Sequence, residues 1–272
     1  MTRLGAIGVP VLAVCLLLLA LAACTSTVTR TEAKADANAT PAPPDAESLK
    51  RSAGVRLELA SLYFSRGQFN TALDEIKLAI QADPNNGAAY NLSGLIYAAL
   101  GNIAQADASF QRALQINPRD ADTMNNYGWV LCQNQRYKEA DVQFQQALVQ
   151  PNYRGAARTL RVMGICQARD NRLDDAEASL MRSYQIDPSS AETAYTLADV
   201  QYRRGAYDRA RFYVDRVNKL AEQSNAQTLW LGARIEYKLG NRALAFGLGD
   251  QLRKRYPQSP ETLAFEQGRF ND

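Results

Sequence analysis

The sequence predicts an all-α protein, a right-handed superhelical solenoid of six helix–turn–helix repeats closed by a C-terminal capping helix. Three observations predict it. An alanine recurs as Ala72, Ala106, Ala140, Ala176, Ala210 and Ala245, at spacings of 34, 34, 36, 34 and 35 residues. Four residues after each stands Ile76, Phe110, Phe144, Leu180 or Val214, with Gly249 in the sixth position. Prolines (Pro84, Pro118, Pro151, Pro188, Pro257) close every unit but the fifth.

A period of 34 residues with small and large columns is that of the tetratricopeptide repeat, a pair of antiparallel helices stacked on its neighbours. The units run 53–86, 87–120, 121–156, 157–190, 191–225 and 226–259. The first helices carry Tyr63, Ser93-Gly94, Tyr127-Gly128, Gly164, Leu197-Ala198 and Gly232-Ala233. Small residues there let two helix backbones approach, and the large residue of the second helix fills the space between units. Gly67, Gly101, Gly205 and Gly240 fall at the turn within a unit, where a helix ends most easily in the left-handed region. The prolines cannot continue a helix but start one well. The third unit is longer, around Pro151-Asn152-Tyr153-Arg154, and a last helix from Glu261 to about Phe270 carries polar residues suited to capping a solenoid. One repeat domain, 53–272, follows two N-terminal segments, with no second globular domain.

The N-terminal segments read differently. Arg3 is the only charge before an apolar run from Leu4 to Ala23, and the run closes in Leu21-Ala22-Ala23-Cys24. That ending resembles the bacterial lipobox, in which small residues precede a cleavage site and the next cysteine is lipidated. The expectation is a signal peptide over 1–23 and an acylated N-terminus at Cys24; an uncleaved membrane anchor is the alternative. Thr25 in place of aspartate points to the outer membrane, facing the periplasm. Residues 24–52, rich in Thr, Ala, Pro and Asp, hold too little apolar surface to order themselves and are expected to form a tether. As a coil, such a segment reaches roughly 30 Å.

Composition excludes several chemistries. The 272 residues include 31 Lys+Arg, 28 Asp+Glu and no histidine, for a formal charge of +3. Without histidine there is no histidine general base, no Ser-His or Cys-His pair and no His-ligated zinc. Four cysteines with no CxxC spacing leave no all-cysteine zinc site. No metal, cofactor, catalytic residue, small-molecule substrate or nucleic acid is expected, and the protein is read as a non-enzyme. The acid pairs Asp74-Glu75 and Asp174-Asp175 and the basic runs Arg203-Arg204 and Arg253-Lys254-Arg255 read as solvated helix faces.

What remains is an interaction surface. In this repeat the first helices line the concave face through residues two, five, nine and twelve of a unit. Those positions hold Leu57 and Phe64, Asn91 and Leu95, Asn125 and Trp129, then Arg158, Arg161 and Ile165. They continue with Tyr195, Asp199 and Tyr202, and Trp230, Arg234 and Tyr237. Tryptophan, tyrosine and arginine carry much of the energy of protein interfaces. The most regular units are one to three, so Phe64, Asn91, Asn125 and Trp129 are the expected peptide-binding groove, with packing between helices as the alternative for each aromatic.

Two cysteines, Cys132 and Cys166, remain once Cys15 leaves with the signal peptide and Cys24 takes lipid. They lie late in neighbouring first helices, at residues twelve and ten of units three and four. In an oxidising compartment a Cys132–Cys166 disulfide is expected, two buried thiols being the alternative.

The segment Met124-Asn125-Asn126-Tyr127-Gly128-Trp129-Val130-Leu131-Cys132, followed by Tyr137, Ala140, Pro151, Tyr153 and Gly164-Ile165-Cys166, is more specific than the general repeat. With the lipobox and the six repeats it resembles the PilF/PilW family of type IV pilus biogenesis lipoproteins, the pilotins of the pilus secretin. The resemblance implies an outer-membrane lipoprotein, acylated (palmitate among the lipids), that binds the secretin. It also implies promotion of secretin localisation and multimer assembly, and hence of fimbriae and twitching motility. The alternative is a lipoprotein adaptor that recruits cell-wall hydrolases or other envelope enzymes.

Overall fold

The computed structural model describes residues 45–271, and these form thirteen helices with no strand among them. The expected lipidation site Cys24, the signal segment and most of the tether lie outside the described residues. The helices pair as α1 (Ala46–Ser65) with α2 (Phe69–Ala82), α3 (Gly87–Ala99) with α4 (Ile103–Ile116), and α5 (Ala121–Gln133) with α6 (Tyr137–Leu148). They continue as α7 (Ala156–Arg169) with α8 (Leu173–Ile186), α9 (Ala191–Arg203) with α10 (Tyr207–Asn218), and α11 (Ala226–Lys238) with α12 (Arg242–Arg255). The short α13 (Pro260–Glu266) ends the stack. Consecutive odd-numbered helices run close beside one another, whereas the backbones of even-numbered helices lie close only to odd-numbered ones. The odd helices therefore form the inner layer of the solenoid and the even helices its outer layer.

The alanine column is wholly buried in all six units, as are Ile76, Phe110, Phe144 and Leu180. The large side chains lie directly on the backbone of the first helix. A Cβ built on Gly94 would sit 2.8 Å from the Phe110 ring, and one on Gly128 would sit 2.7 Å from Phe144. The sixth unit departs from the pattern at Gly249, and α13 supplies the missing volume. The Phe265 ring occupies the space, 2.0 Å from where a Gly249 side chain would begin.

Electrostatics adds a second column on the outer layer. The residue after the alanine is Asp107, Asp141 or Glu177 in units two to four, and each pairs with an arginine of the following unit. Arg136 pairs with Asp107, Arg172 lies 2.7 Å from Asp141, and Arg204 and Arg209 both reach Glu177. The acids are largely buried, so these pairs are less screened than ordinary surface ones.

The structure differs from the sequence expectation at three places. First, α1 begins at Ala46, inside the segment assigned to the tether. Asp45 caps it, accepting from the Ser48 amide at 2.7 Å, and Glu47 suits the positive end of the helix. Second, α13 stops at Glu266, and Gly268 at φ 65° turns the chain back. Third, Arg255, exposed as expected, also makes contacts the sequence does not indicate. It donates to the carbonyls of Ala221 and Ser224 at 3.2 Å, and Tyr256 donates to Ser224 at 2.9 Å. Together they hold the connection after α10, where the closing proline is missing.

The turns inside the units carry a strain the sequence does hint at. Four have glycine in the left-handed region, but units three and four place Gln135 (φ 61°) and Asn171 (φ 59°) there. That conformation costs a side-chain-bearing residue about 1–2 kcal/mol, and asparagine tolerates it best. Gln135→Gly is expected to raise unfolding stability by about 0.5–1 kcal/mol after the added flexibility of the unfolded chain is subtracted. Asn171→Gly is expected to change it less. Urea unfolding followed by circular dichroism checks both, and a less stable Gln135→Gly would contradict the strain assignment.

Candidate functional site

The inner layer opens into a cavity of about 580 Å³ on units three to six. Trp129 of α5 stands at one end; Arg161 and Ile165 of α7, Glu192 and Tyr195 of α9, and Gln227 of α11 continue the wall. A smaller hollow of about 140 Å³ shares Tyr195 and Gln227 and adds Asp199, Trp230, Arg234 and Glu261. Aromatic rings thus alternate with charges along one continuous face.

Burial tunes those charges. Desolvation pushes the Asp199 carboxyl up, against the pull of Arg203 and Arg234. The Tyr195 phenol is pushed up by burial, then by the nearby carboxylates Asp199 and Glu261. Burial lowers the Arg161 guanidinium, which pairs with Glu192 across α7 and α9. Arg234 stacks over the Tyr202 ring at 4.5 Å, and its buried Nε has no hydrogen-bond partner. Trp129 rests partly on the core cluster of units two to four and receives Arg169 over its ring at 4.9 Å. The surface offers shape, aromatic faces and paired charges of both signs, which is the equipment of peptide recognition. Among the described residues no group of carboxylates or cysteines could hold a metal ion.

Of the four residues expected to form the groove, Trp129 alone lines the cavity. Phe64 packs within the first unit, its ring 5.6 Å from Phe69. Asn91 accepts a hydrogen bond from the Asn126 side chain at 3.2 Å. Asn125 is corrected outright: it is 4% exposed and its Oδ1 accepts from Thr159 at 2.8 Å. The Tyr153 hydroxyl in turn donates to Thr159 at 2.8 Å. This polar chain, buried at Asn125 and Thr159 and half-buried at Asn91, Asn126 and Tyr153, joins α3, α5 and α7 and reaches the longer connection after α6. Asn125 has no exposed amide to offer a peptide: the side chain is buried, its oxygen accepts from Thr159 and its Nδ2 turns to the Asn126 oxygen at 3.5 Å. Arg161, Tyr195, Asp199, Trp230 and Arg234 hold inner-layer positions legible from repeat phase, but only the curvature of the stack reveals that the open cavity lies beside them.

Cys132 and Cys166 are joined by a disulfide between α5 and α7, with Cα atoms 5.8 Å apart. Closing a loop of 34 residues contributes roughly 3–4 kcal/mol on the chain-entropy model. The bridge ties together the two helices whose inner faces carry Trp129 and Arg161.

The assignment of Asn125 to the core has a direct consequence. Asn125→Ala strands the Thr159 hydroxyl and is expected to cost about 1–3 kcal/mol of stability by urea unfolding. An asparagine free in a groove would change stability by no more than about 0.5 kcal/mol on removal.

Comparison with known proteins agrees with this architecture. Tetratricopeptide-repeat family models match residues 57–121, 109–141 and 167–230. The type IV pilus assembly protein PilF of Pseudomonas aeruginosa is 26% identical over 216 residues, covering 79% of this chain and 84% of PilF. The crystal structure of PilW, described as a widely conserved type IV pilus biogenesis factor, superposes with a TM-score of 0.72 at 31% identity. That match covers 78% of this chain and 97% of PilW. The P. aeruginosa PilF structure matches with a TM-score of 0.69 at 25% identity, over 81% of this chain and 99% of PilF. With the repeat fold and nearly the whole length of PilW shared, the chain belongs to the PilF/PilW family of tetratricopeptide-repeat proteins of type IV pilus biogenesis.

Proposed function

We propose that this protein is a lipid-anchored outer-membrane pilotin, a scaffold that binds the pilus secretin on its periplasmic side and promotes secretin multimer assembly. Family membership supports a role in type IV pilus biogenesis. The observation that supports the secretin reading is the open cavity of units three to six, lined by Trp129 and Tyr195, whose helices α5 and α7 are joined by the disulfide and the Asn125–Thr159 bond. A scaffold of this kind needs no chemistry. It concentrates a subunit at the membrane, and anchoring by acyl chains on Cys24 supplies the location. Diacyl attachment holds a protein on a bilayer far more firmly than a single chain.

In the proposed arrangement a secretin segment lies along the inner layer, with side chains against Trp129, Tyr195 and Trp230 and its polar groups facing Arg161, Glu192 and Asp199. Removing one aromatic anchor of an interface often costs about 2 kcal/mol, roughly thirtyfold in affinity. Trp129→Ala combined with Tyr195→Ala is therefore expected to abolish co-purification of secretin, secretin multimers and twitching while helicity is kept. Normal multimers in a folded double variant would contradict the site. A variant that captures cell-wall hydrolases in place of secretin would favour the adaptor role. The anchoring has a separate readout: Cys24→Ala is expected to leave the membrane fraction with unchanged helicity. Recovery of Cys24→Ala in the outer membrane would contradict it.

A further inference from the structure

The small hollow of units five and six differs in charge from the cavity beside it. Tyr195 and Asp199 of α9, Trp230 and Arg234 of α11 and Glu261 of α13 wall about 140 Å³, room for one side chain rather than a stretch of backbone. Asp199 and Glu261 are both half-buried. After burial itself, these two carboxylates are what push the Tyr195 phenol up, so both stand close to that ring. Among the described residues no hydrogen bond or ion pair reaches either carboxylate. The arginines that pull on Asp199 are engaged elsewhere: Arg234 lies over the Tyr202 ring at 4.5 Å, and Arg203 donates to the Ala168 carbonyl at 2.9 Å. Desolvation of Asp199 outweighs their pull. The hollow therefore holds two carboxylates against one guanidinium, and neither carboxylate is compensated from within the chain. A desolvated carboxylate without a partner is costly, and such groups concentrate where a ligand completes them.

We propose that this hollow is a specificity pocket for a lysine or arginine side chain of the bound segment, its charge facing Asp199 and Glu261 and its stem against the Tyr195 and Trp230 rings. The proposal rests on the reading of the inner face as the secretin-binding surface, and it names the chemistry that surface selects. A cation is drawn to the face of a tyrosine or tryptophan ring as well as to a carboxylate. The aliphatic stem of lysine or arginine covers apolar surface while the head seeks a counter-charge. An acidic side chain would meet two like charges, and an apolar one would leave both carboxylates dry and unpaired. The hollow shares Tyr195 and Gln227 with the larger cavity, so a segment seated on Trp129 and Arg161 enters it by continuing along the same face.

The test titrates the full chain by calorimetry with short overlapping synthetic peptides that tile the periplasmic part of the secretin. Peptides that bind are expected to carry a lysine or arginine. Replacing that residue by norleucine or citrulline, neutral and near in size, is expected to weaken binding at least about tenfold. Asp199→Asn with Glu261→Gln is expected to weaken the basic peptide by a similar factor and to leave its neutral form unaffected. The same double variant is expected to keep or raise the urea midpoint at neutral pH, since it removes a desolvated charge. A lowered midpoint would assign the carboxylates to the fold and overturn the pocket. Basic and neutral peptides that bind alike would overturn it too, as would a folded double variant that still tells them apart. Should the double variant fail to fold, the comparison of peptides on the unchanged chain decides. If no secretin peptide binds, the failure lies with the secretin reading, and a random peptide library displayed on phage tests the pocket. Enrichment of lysine and arginine on the unchanged chain supports it, and selection without that enrichment overturns it.

Discussion

The contact on which the whole stack depends is a large side chain of the second helix laid against the bare backbone of the first. Phe110 on Gly94 and Phe144 on Gly128 leave no room for a single methyl group, with a built Cβ at 2.8 and 2.7 Å. A protein interior packs at crystal density, so such a contact sets the spacing of the paired helices to within a few tenths of an ångström. Everything larger follows from its repetition. Each pair presents the same two surfaces to its neighbours, and the inner layer acquires the curvature that opens a cavity. Where the rule lapses at Gly249, Phe265 restores the volume from the next helix.

Other interactions make the junction of units three and four stiffer than packing alone. The disulfide, the Asn125–Thr159 bond and the Asp141–Arg172 pair all cross it, on the inner layer, in the core and on the outer layer respectively. It also holds one of the two longest connections between helices, and there Gln135 and Asn171 replace glycine in strained turns. The strain is tolerated beside the elements that over-determine the local backbone. Trp129 and Arg161 face each other across that same junction, so the cavity wall is rigid where it begins. Pre-organisation of this kind spares a bound peptide part of the ordering cost of association.

Much of the fold was legible because a repeat writes its packing rule six times. The alanine column, the large residues four positions on and the glycine turns are local relations, and the structure keeps them. The parts that were not legible depend on relations between units. Whether Asn125 meets a peptide or a threonine is decided by Thr159 and by Tyr153 in the inserted connection. Inner-layer phase marks Arg161, Tyr195 and Trp230 as facing inward, but which stretch stays open depends on accumulated curvature and on where the tail returns. Phe270 sits past a helix end, where periodicity carries no information, and it covers Tyr202 and Tyr237. The early start of α1 was hidden by a polar, charge-rich composition whose order comes from a cap at Asp45 rather than from a buried face.

The central claim is that the open inner face of units three to six receives the secretin. The most direct measurement places a photo-crosslinking amino acid at Gln227, on the wall shared by the two hollows, in otherwise unchanged protein in living cells. The same residue placed at Val142, exposed on α6 of the outer layer, is the reference. The account predicts a covalent adduct with the secretin from Gln227 and none from Val142. An adduct from Val142 with none from Gln227 would put the partner on the convex surface and contradict it.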